Sequence, residues 1–153
     1  MNGILFLPYA VTVNNCISGR ESRKGFVMEG RFYICELCGN IVGLIKNGGG
    51  ELVCCGQAMK HLEPGSVDAA QEKHVPEAKV EGCRVGVKVG SVPHPMTEDH
   101  LIEWVYLQTD LGGQRKILAA GDEPEVCFHL CGDEKPVSVF AYCNLHGLWK
   151  ADI

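Results

Sequence analysis

The stretch Gln71-Glu72-Lys73-His74-Val75-Pro76 sets a carboxylate, an ammonium and an imidazole side by side, and Pro76 stiffens the segment that carries them. Downstream come His94, between Pro93 and Pro95, then His100, and finally Cys143-Asn144-Leu145-His146. Each feature alone has a plain structural explanation. Charged loops are solvated, loop histidines are exposed, and a cysteine at a strand end is a small core residue. Joined, they supply four imidazoles and one thiolate. Soft sulfur with several imidazoles suits a redox-active transition metal better than magnesium or calcium. The residues therefore point to a mononuclear iron site that reduces a small anion.

A second pattern lies upstream. Cys35-x2-Cys38 is a knuckle in which Gly39 frees the backbone to fold close to a metal, and Cys54-Cys55 supplies the other pair without a spacer. A zinc ribbon normally has two residues between the cysteines of each pair, so two adjacent cysteines must splay apart to reach one tetrahedral ion. A structural zinc knuckle and a vicinal disulfide are the alternatives. A third cluster, Cys127, His129 and Cys131, alternates on one strand face with Phe128 and Leu130 on the core side. It lacks a fourth ligand. His61 reads as a solvated histidine.

These residues need positioning elements. Two short strand-like runs flank the turn cluster Lys46-Asn47-Gly48-Gly49-Gly50, a hairpin-sized β unit too small to fold without a metal. Residues 57–70 read as a linker, with Pro64-Gly65-Ser66 at its boundary, and Val67 to Glu72 as one helical turn. From Ala78 the chain is β. Cys83, Val85, Val87 and Val89 alternate with polar positions, which puts Cys83 on the apolar face. Leu101 to Leu107 reads as a central strand, and Arg115–Leu118, Val126–Leu130 and Val137–Cys143 follow at turn-separated intervals, the pattern of an antiparallel sandwich or barrel. Prolines on both sides of His94 keep it out of any sheet interior and make a stiff loop.

The 153 residues suffice for a small module plus one domain of about 100 residues. A net charge of -5 argues against a nucleic-acid surface, though not against an anionic substrate at a locally positive metal site. No run approaches the roughly 18 apolar residues of a membrane span. The apolar run Ile4–Val11 has no Lys or Arg before it and no Ala-x-Ala after it, so it does not read as a signal peptide. Nine cysteines in uneven spacing read as metal ligands in a reducing, cytoplasmic compartment. Residues 1–27 hold no metal pattern, and translation is expected to start at Met28.

Cys35-Glu-Leu-Cys38, Gly50-Glu-Leu-Val-Cys54-Cys55, Val67-Asp-Ala-Ala, Glu72-Lys73-His74-Val-Pro76, His94-Pro-Met and Cys143-Asn-Leu-His146-Gly-Leu-Trp149-Lys together resemble desulfoferrodoxin, the two-iron superoxide reductase. The resemblance runs in order from about Met28 to Asp152. It implies an all-β protein: an N-terminal extension (1–27), a desulforedoxin-like head (28–64) and an immunoglobulin-like superoxide reductase sandwich (65–153). It implies two irons per chain. Cys35, Cys38, Cys54 and Cys55 hold one. His74, His94, His100 and His146, with Cys143 as axial thiolate, hold the other. It further implies that Lys73 steers superoxide and helps protonate the product, and that Glu72 closes the open sixth position of the resting oxidised site. The product is hydrogen peroxide without dioxygen, the electron comes from a donor such as rubredoxin, and the protein is a homodimer. An electron carrier using only the head, or a zinc-stabilised module without catalysis, are the rival readings.

Overall fold

The computed structural model describes residues 30–67 and 69–153, and the expected start at Met28 and the extension before it lie outside them. The head contains β1 (Arg31–Ile34), β2 (Ile41–Leu44), β3 (Val53–Cys54), β4 (Gln57–Ala58) and β5 (Lys60–His61). Strand β1 is central in the order β2-β1-β5, with Tyr33 opposite both Val42 and His61. The first cysteine pair makes the β1–β2 turn. There the Cys35 N–H bonds the Asn40 carbonyl at 2.9 Å, and the Gly39 N–H bonds the Cys35 carbonyl at 2.8 Å.

Two expectations change here. The glycine cluster 46–50 does not close a hairpin; it carries the chain from β2 to β3, which pairs only with β4. Nor is the whole of 57–70 a linker, because β4 and β5 occupy its first residues. The cause is pairing partners supplied from a distance: Phe32 offers its carbonyl to the Leu62 N–H at 2.8 Å and draws an otherwise polar segment into the sheet.

The body follows as α1 (Gln71–His74), β6 (Pro76–Glu81), β7 (Arg84–Val89), β8 (Ile102–Thr109), β9 (Gly113–Ile117), β10 (Glu125–His129), β11 (Pro136–Cys143) and β12 (Gly147–Asp152). A three-stranded sheet, β10-β7-β6, faces a four-stranded sheet, β12-β11-β8-β9. Pairing is antiparallel throughout, and the all-β expectation of a small head followed by an antiparallel sandwich is met. Between the sheets lie Val85, Val87, Val89 and Phe128 on one side and Val105, Leu107, Val139, Ala141 and Cys143 on the other. Burying such side chains is the main drive for the two sheets to pack.

Cys83 departs from its reading as a core residue. It is exposed, because Gly82 takes φ +59 and the β6–β7 turn consumes Cys83 before the alternation begins at Arg84. The β8–β11 register shifts between Tyr142 opposite Trp104 and Cys143 opposite Ile102, leaving Glu103 as an extra residue. That bulge puts Ile102 and Cys143 together in the core while Trp104 and Tyr142 face outward. On the outer face of the four-stranded sheet, Phe32 from the head packs with Trp104, Phe140, Tyr142 and Leu148. Its ring centroid lies 5.0 Å from that of Trp104 and 5.6 Å from that of Phe140. Among the described residues, no helix is long and apolar enough to cross a membrane.

Candidate metal centres

All five body ligands sit at one end of the sandwich, because antiparallel neighbours begin and end there. His74 precedes β6, the His94 loop follows β7, His100 precedes β8, and Cys143 and His146 flank the β11–β12 turn. Three fastenings hold these segments. The Gly90 N–H bonds the Val75 carbonyl at 3.1 Å, and the Val92 N–H bonds the Glu72 carbonyl at 3.0 Å, pinning the turn that carries Glu72, Lys73 and His74. Thr97 and His100 exchange backbone bonds of 3.0 and 3.2 Å. Asn144 ties the His100 segment to the cysteine turn, accepting from the Leu101 N–H at 3.0 Å and donating to the Asp99 carbonyl at 2.9 Å.

The rings form a closed cycle. Centroid separations run 4.7 Å for His74–His94, 4.6 Å for His94–His100, 4.9 Å for His100–His146 and 4.7 Å for His146–His74, each pair near perpendicular. The diagonal pair His74 and His100 is 6.4 Å apart and nearly parallel. His74 Nδ1 is 2.7 Å from the Ala70 carbonyl and His94 Nδ1 is 2.5 Å from the Pro95 carbonyl. A carbonyl only accepts, so both Nδ1 atoms carry the proton and both Nε2 atoms present lone pairs. Nε2 of His94 and Nε2 of His100 are buried with no hydrogen-bond partner. His74 Nε2 meets His146 Nδ1 at 2.9 Å, and Cys143 Sγ is 3.5 Å from that same Nδ1.

A cation explains this convergence. Two nitrogens about 2.1 Å from one ion and at right angles to each other lie about 3.0 Å apart, close to the His74–His146 separation. The ligand atoms of His74, His94, His100, Cys143 and His146 all fall within 4.8 Å of one another. Burial pushes His94 down to about 4, against the Pro95 hydrogen bond, and burial also lowers His74. His100 is lowered by burial, then by His146 and Lys73. His74, His94 and His100 are thus held towards the neutral form that ligation requires. Burial raises the Cys143 thiol against the N–H groups of Leu145 and His146, so a bound cation is what makes it a thiolate.

The head repeats the logic with sulfur. Cys35, Cys38, Cys54 and Cys55 converge within the same 4.8 Å limit. Cys38 Sγ and Cys54 Sγ are 3.7 Å apart, and Cys54 Sγ and Cys55 Sγ are 3.9 Å apart. Sulfurs on a tetrahedral ion about 2.3 Å away are separated by about 3.8 Å, whereas a disulfide needs about 2.05 Å. The expected splaying of the adjacent pair is visible in the backbone: Cys55 takes φ +51, a left-handed conformation for a residue with a Cβ. N–H groups of Cys38 and Leu37 bring Cys35 down to about 7, while Cys38, first among the neighbours, pushes Cys55 up to about 12. Four sulfurs this close cannot all ionise without a metal between them.

The two groups are the metal-ligating clusters among the described residues. Cys127, His129 and Cys131 do not form a third. Phe128 and Leu130 are buried as expected, but Cys127 accepts from Arg84 Nε at 3.4 Å instead. His61 stands in β5 with its Nδ1 2.6 Å from Glu63. Gly90, Asn144 and Trp149 went unassigned in the sequence, although Asn144 and Trp149 lie inside the cysteine–histidine motif.

The family described as Desulfoferrodoxin matches residues 66–152, and its N-terminal domain matches residues 28–62. A desulfoferrodoxin of Syntrophotalea carbinolica is 51% identical over 120 residues, covering 78% of this chain and 94% of that protein. A desulfoferrodoxin homolog of Archaeoglobus fulgidus is 51% identical over 119 residues, again covering 78% and 94%. The solved superoxide reductase of Treponema pallidum superposes with a TM-score of 0.70 at 40% identity, over 82% of this chain and 100% of that one. Two metal groups of this composition, in this order and on this fold, agree with those matches, and the chain belongs to the desulfoferrodoxin family.

Proposed function

We propose that the chain is a superoxide reductase with two irons, which adds one electron and two protons to superoxide to give hydrogen peroxide and releases no dioxygen. The observation that carries this is the cycle of four imidazoles completed by Cys143, since five protein ligands would leave a sixth position for a small anion. Iron held there supplies the electron and a local positive charge, near +1 for a ferrous ion among neutral imidazoles and one thiolate.

The chain's own residues do the rest. Lys73 lies close enough for its charge to lower His100, and from that position it draws the anion toward the ring cycle. Through ordered water it also assists proton delivery to the product. Glu72, two residues before the ligand His74 and pinned through its carbonyl by Val92, would offer its carboxylate to the open position of a resting oxidised site. Cys143, buried in the core, keeps its sulfur from solvent and as a thiolate would donate electron density to an iron held there. An external donor returns the electron, and rubredoxin fits that role. We assign 28–64 and 65–153 as the two domains, a cytoplasmic location and a homodimeric state to the same reading.

Metal analysis of freshly purified protein, with visible spectra before and after mild reduction, followed by pulse-generated superoxide kinetics, tests the proposal. Two irons per chain and a fast reaction of the reduced body site are expected. Iron in the head with an empty body would favour an electron carrier, and zinc without colour would overturn the enzyme reading.

A further inference from the structure

Trp149 is buried in β12. It shares the inner face of its sheet with Ala141 of the inter-sheet core and extends from there towards the ligand end. Its cross-strand partner is Ala141, whose small side chain leaves room for an indole on that face. The indole lies on the His74 ring, with centroids 4.9 Å apart and planes at 21°. Its Nε1–H donates to the His146 carbonyl at 3.1 Å. One side chain thus touches two ligands that come from opposite sheets, and these are the two whose nitrogens meet at 2.9 Å.

We propose that Trp149 is a positioning residue for the mononuclear centre: its face sets the plane of the His74 imidazole and its N–H sets the turn that aims His146 Nδ1. His74 needs such a support. Its Nδ1–H bond to Ala70 fixes the tautomer but still allows the ring to swing about that contact, and Ala70 and His74 both belong to the same single-turn segment. A flat aromatic surface removes that freedom. His146 faces the cycle through Nδ1, and the backbone of its turn, which the indole N–H holds, aims that atom. Groups behind the ligands that orient them commonly alter metal affinity about 10-fold to 100-fold.

This inference rests on the body centre binding iron. The experiment compares full-length parent, Trp149→Phe, which keeps an aromatic face and loses the N–H, and Trp149→Leu, which loses both. Iron per chain, the electron paramagnetic resonance signature of the oxidised body iron, and the rate of iron loss to a ferrous chelator are read together, with the head iron signal as internal control. Trp149→Phe is expected to keep both irons and the head signal, to shift the body signature and to release body iron about 10-fold faster. Trp149→Leu is expected to exceed it. If Trp149→Phe keeps the parental signature and release rate, the role is refuted even where Trp149→Leu fails to fold. A lowered Tm with an unchanged body signature likewise leaves Trp149 a packing residue and refutes it. A parent without body iron overturns the functional reading and this inference together, whereas parent-like variants overturn this inference alone.

Discussion

His74 and His146 are separated by 72 residues, yet Nε2 of one and Nδ1 of the other lie 2.9 Å apart. His74 enters from the edge of the three-stranded sheet and His146 from a turn of the four-stranded one. The centre therefore bridges the two layers, and its geometry depends on how they pack. Ligands drawn from rigid strand ends, with Asn144 joining two of the segments, form a preorganised site.

Cys143→Ala removes the sole sulfur of the body group and leaves the head group untouched. Iron content is expected to fall to about one per chain, with the visible bands of the head retained. Loss of both irons would contradict two independent centres.

Lys73→Ala removes a charge near the imidazole cycle without touching a ligand. Both irons are expected to stay bound, while the second-order rate with superoxide falls about 10-fold or more and becomes less sensitive to salt. Pulse radiolysis at several ionic strengths checks both effects, and equal rates would remove Lys73 from the mechanism.

Gly90→Ala tests the scaffold behind that turn. Gly90 has φ +81, and a Cβ there would lie 2.6 Å from the carbonyl oxygens of both Lys73 and Val92. The backbone must shift, at a cost of about 1–3 kcal/mol. Denaturant titration should show the destabilisation, and the superoxide rate should fall because Lys73 moves with its carbonyl.

Phe32→Ala deletes the ring that joins head to sandwich through Trp104, Tyr106 and Phe140. A loss of about 3–5 kcal/mol is expected from the cavity and the lost contacts. Calorimetry should show the head signal melting ahead of the body.

Much of this was legible before the fold was seen, for reasons that differ by residue. The ligand-type residues stand out only jointly: each loop histidine or strand-end cysteine has a plain explanation alone, whereas four imidazoles with one thiolate, and four cysteines in two pairs, do not. The strands β7, β8, β10 and β11 were legible because Val, Ile, Leu and Phe alternate or run together. Strand β12 was not, because its glycine and lysine break the pattern and it is held by pairing to β11. Cys83 was misplaced for the converse reason: period-2 alternation runs through a turn as smoothly as through a strand, and only the Gly82 conformation ends it. The role of Trp149 was hidden because an apolar aromatic near a ligand looks like any core residue until its ring is seen on His74.

Phe32 also acts as a cork. The head that carries it is too small to keep its shape without its own ion. If that ion is lost, the ring withdraws and Trp104, Phe140, Tyr142 and Leu148 are uncovered as one adhesive patch. A shortage of metal for the cysteine site would then be felt as clumping and proteolytic clearance of the whole chain, even while the histidine site, on its own elements, remained loaded.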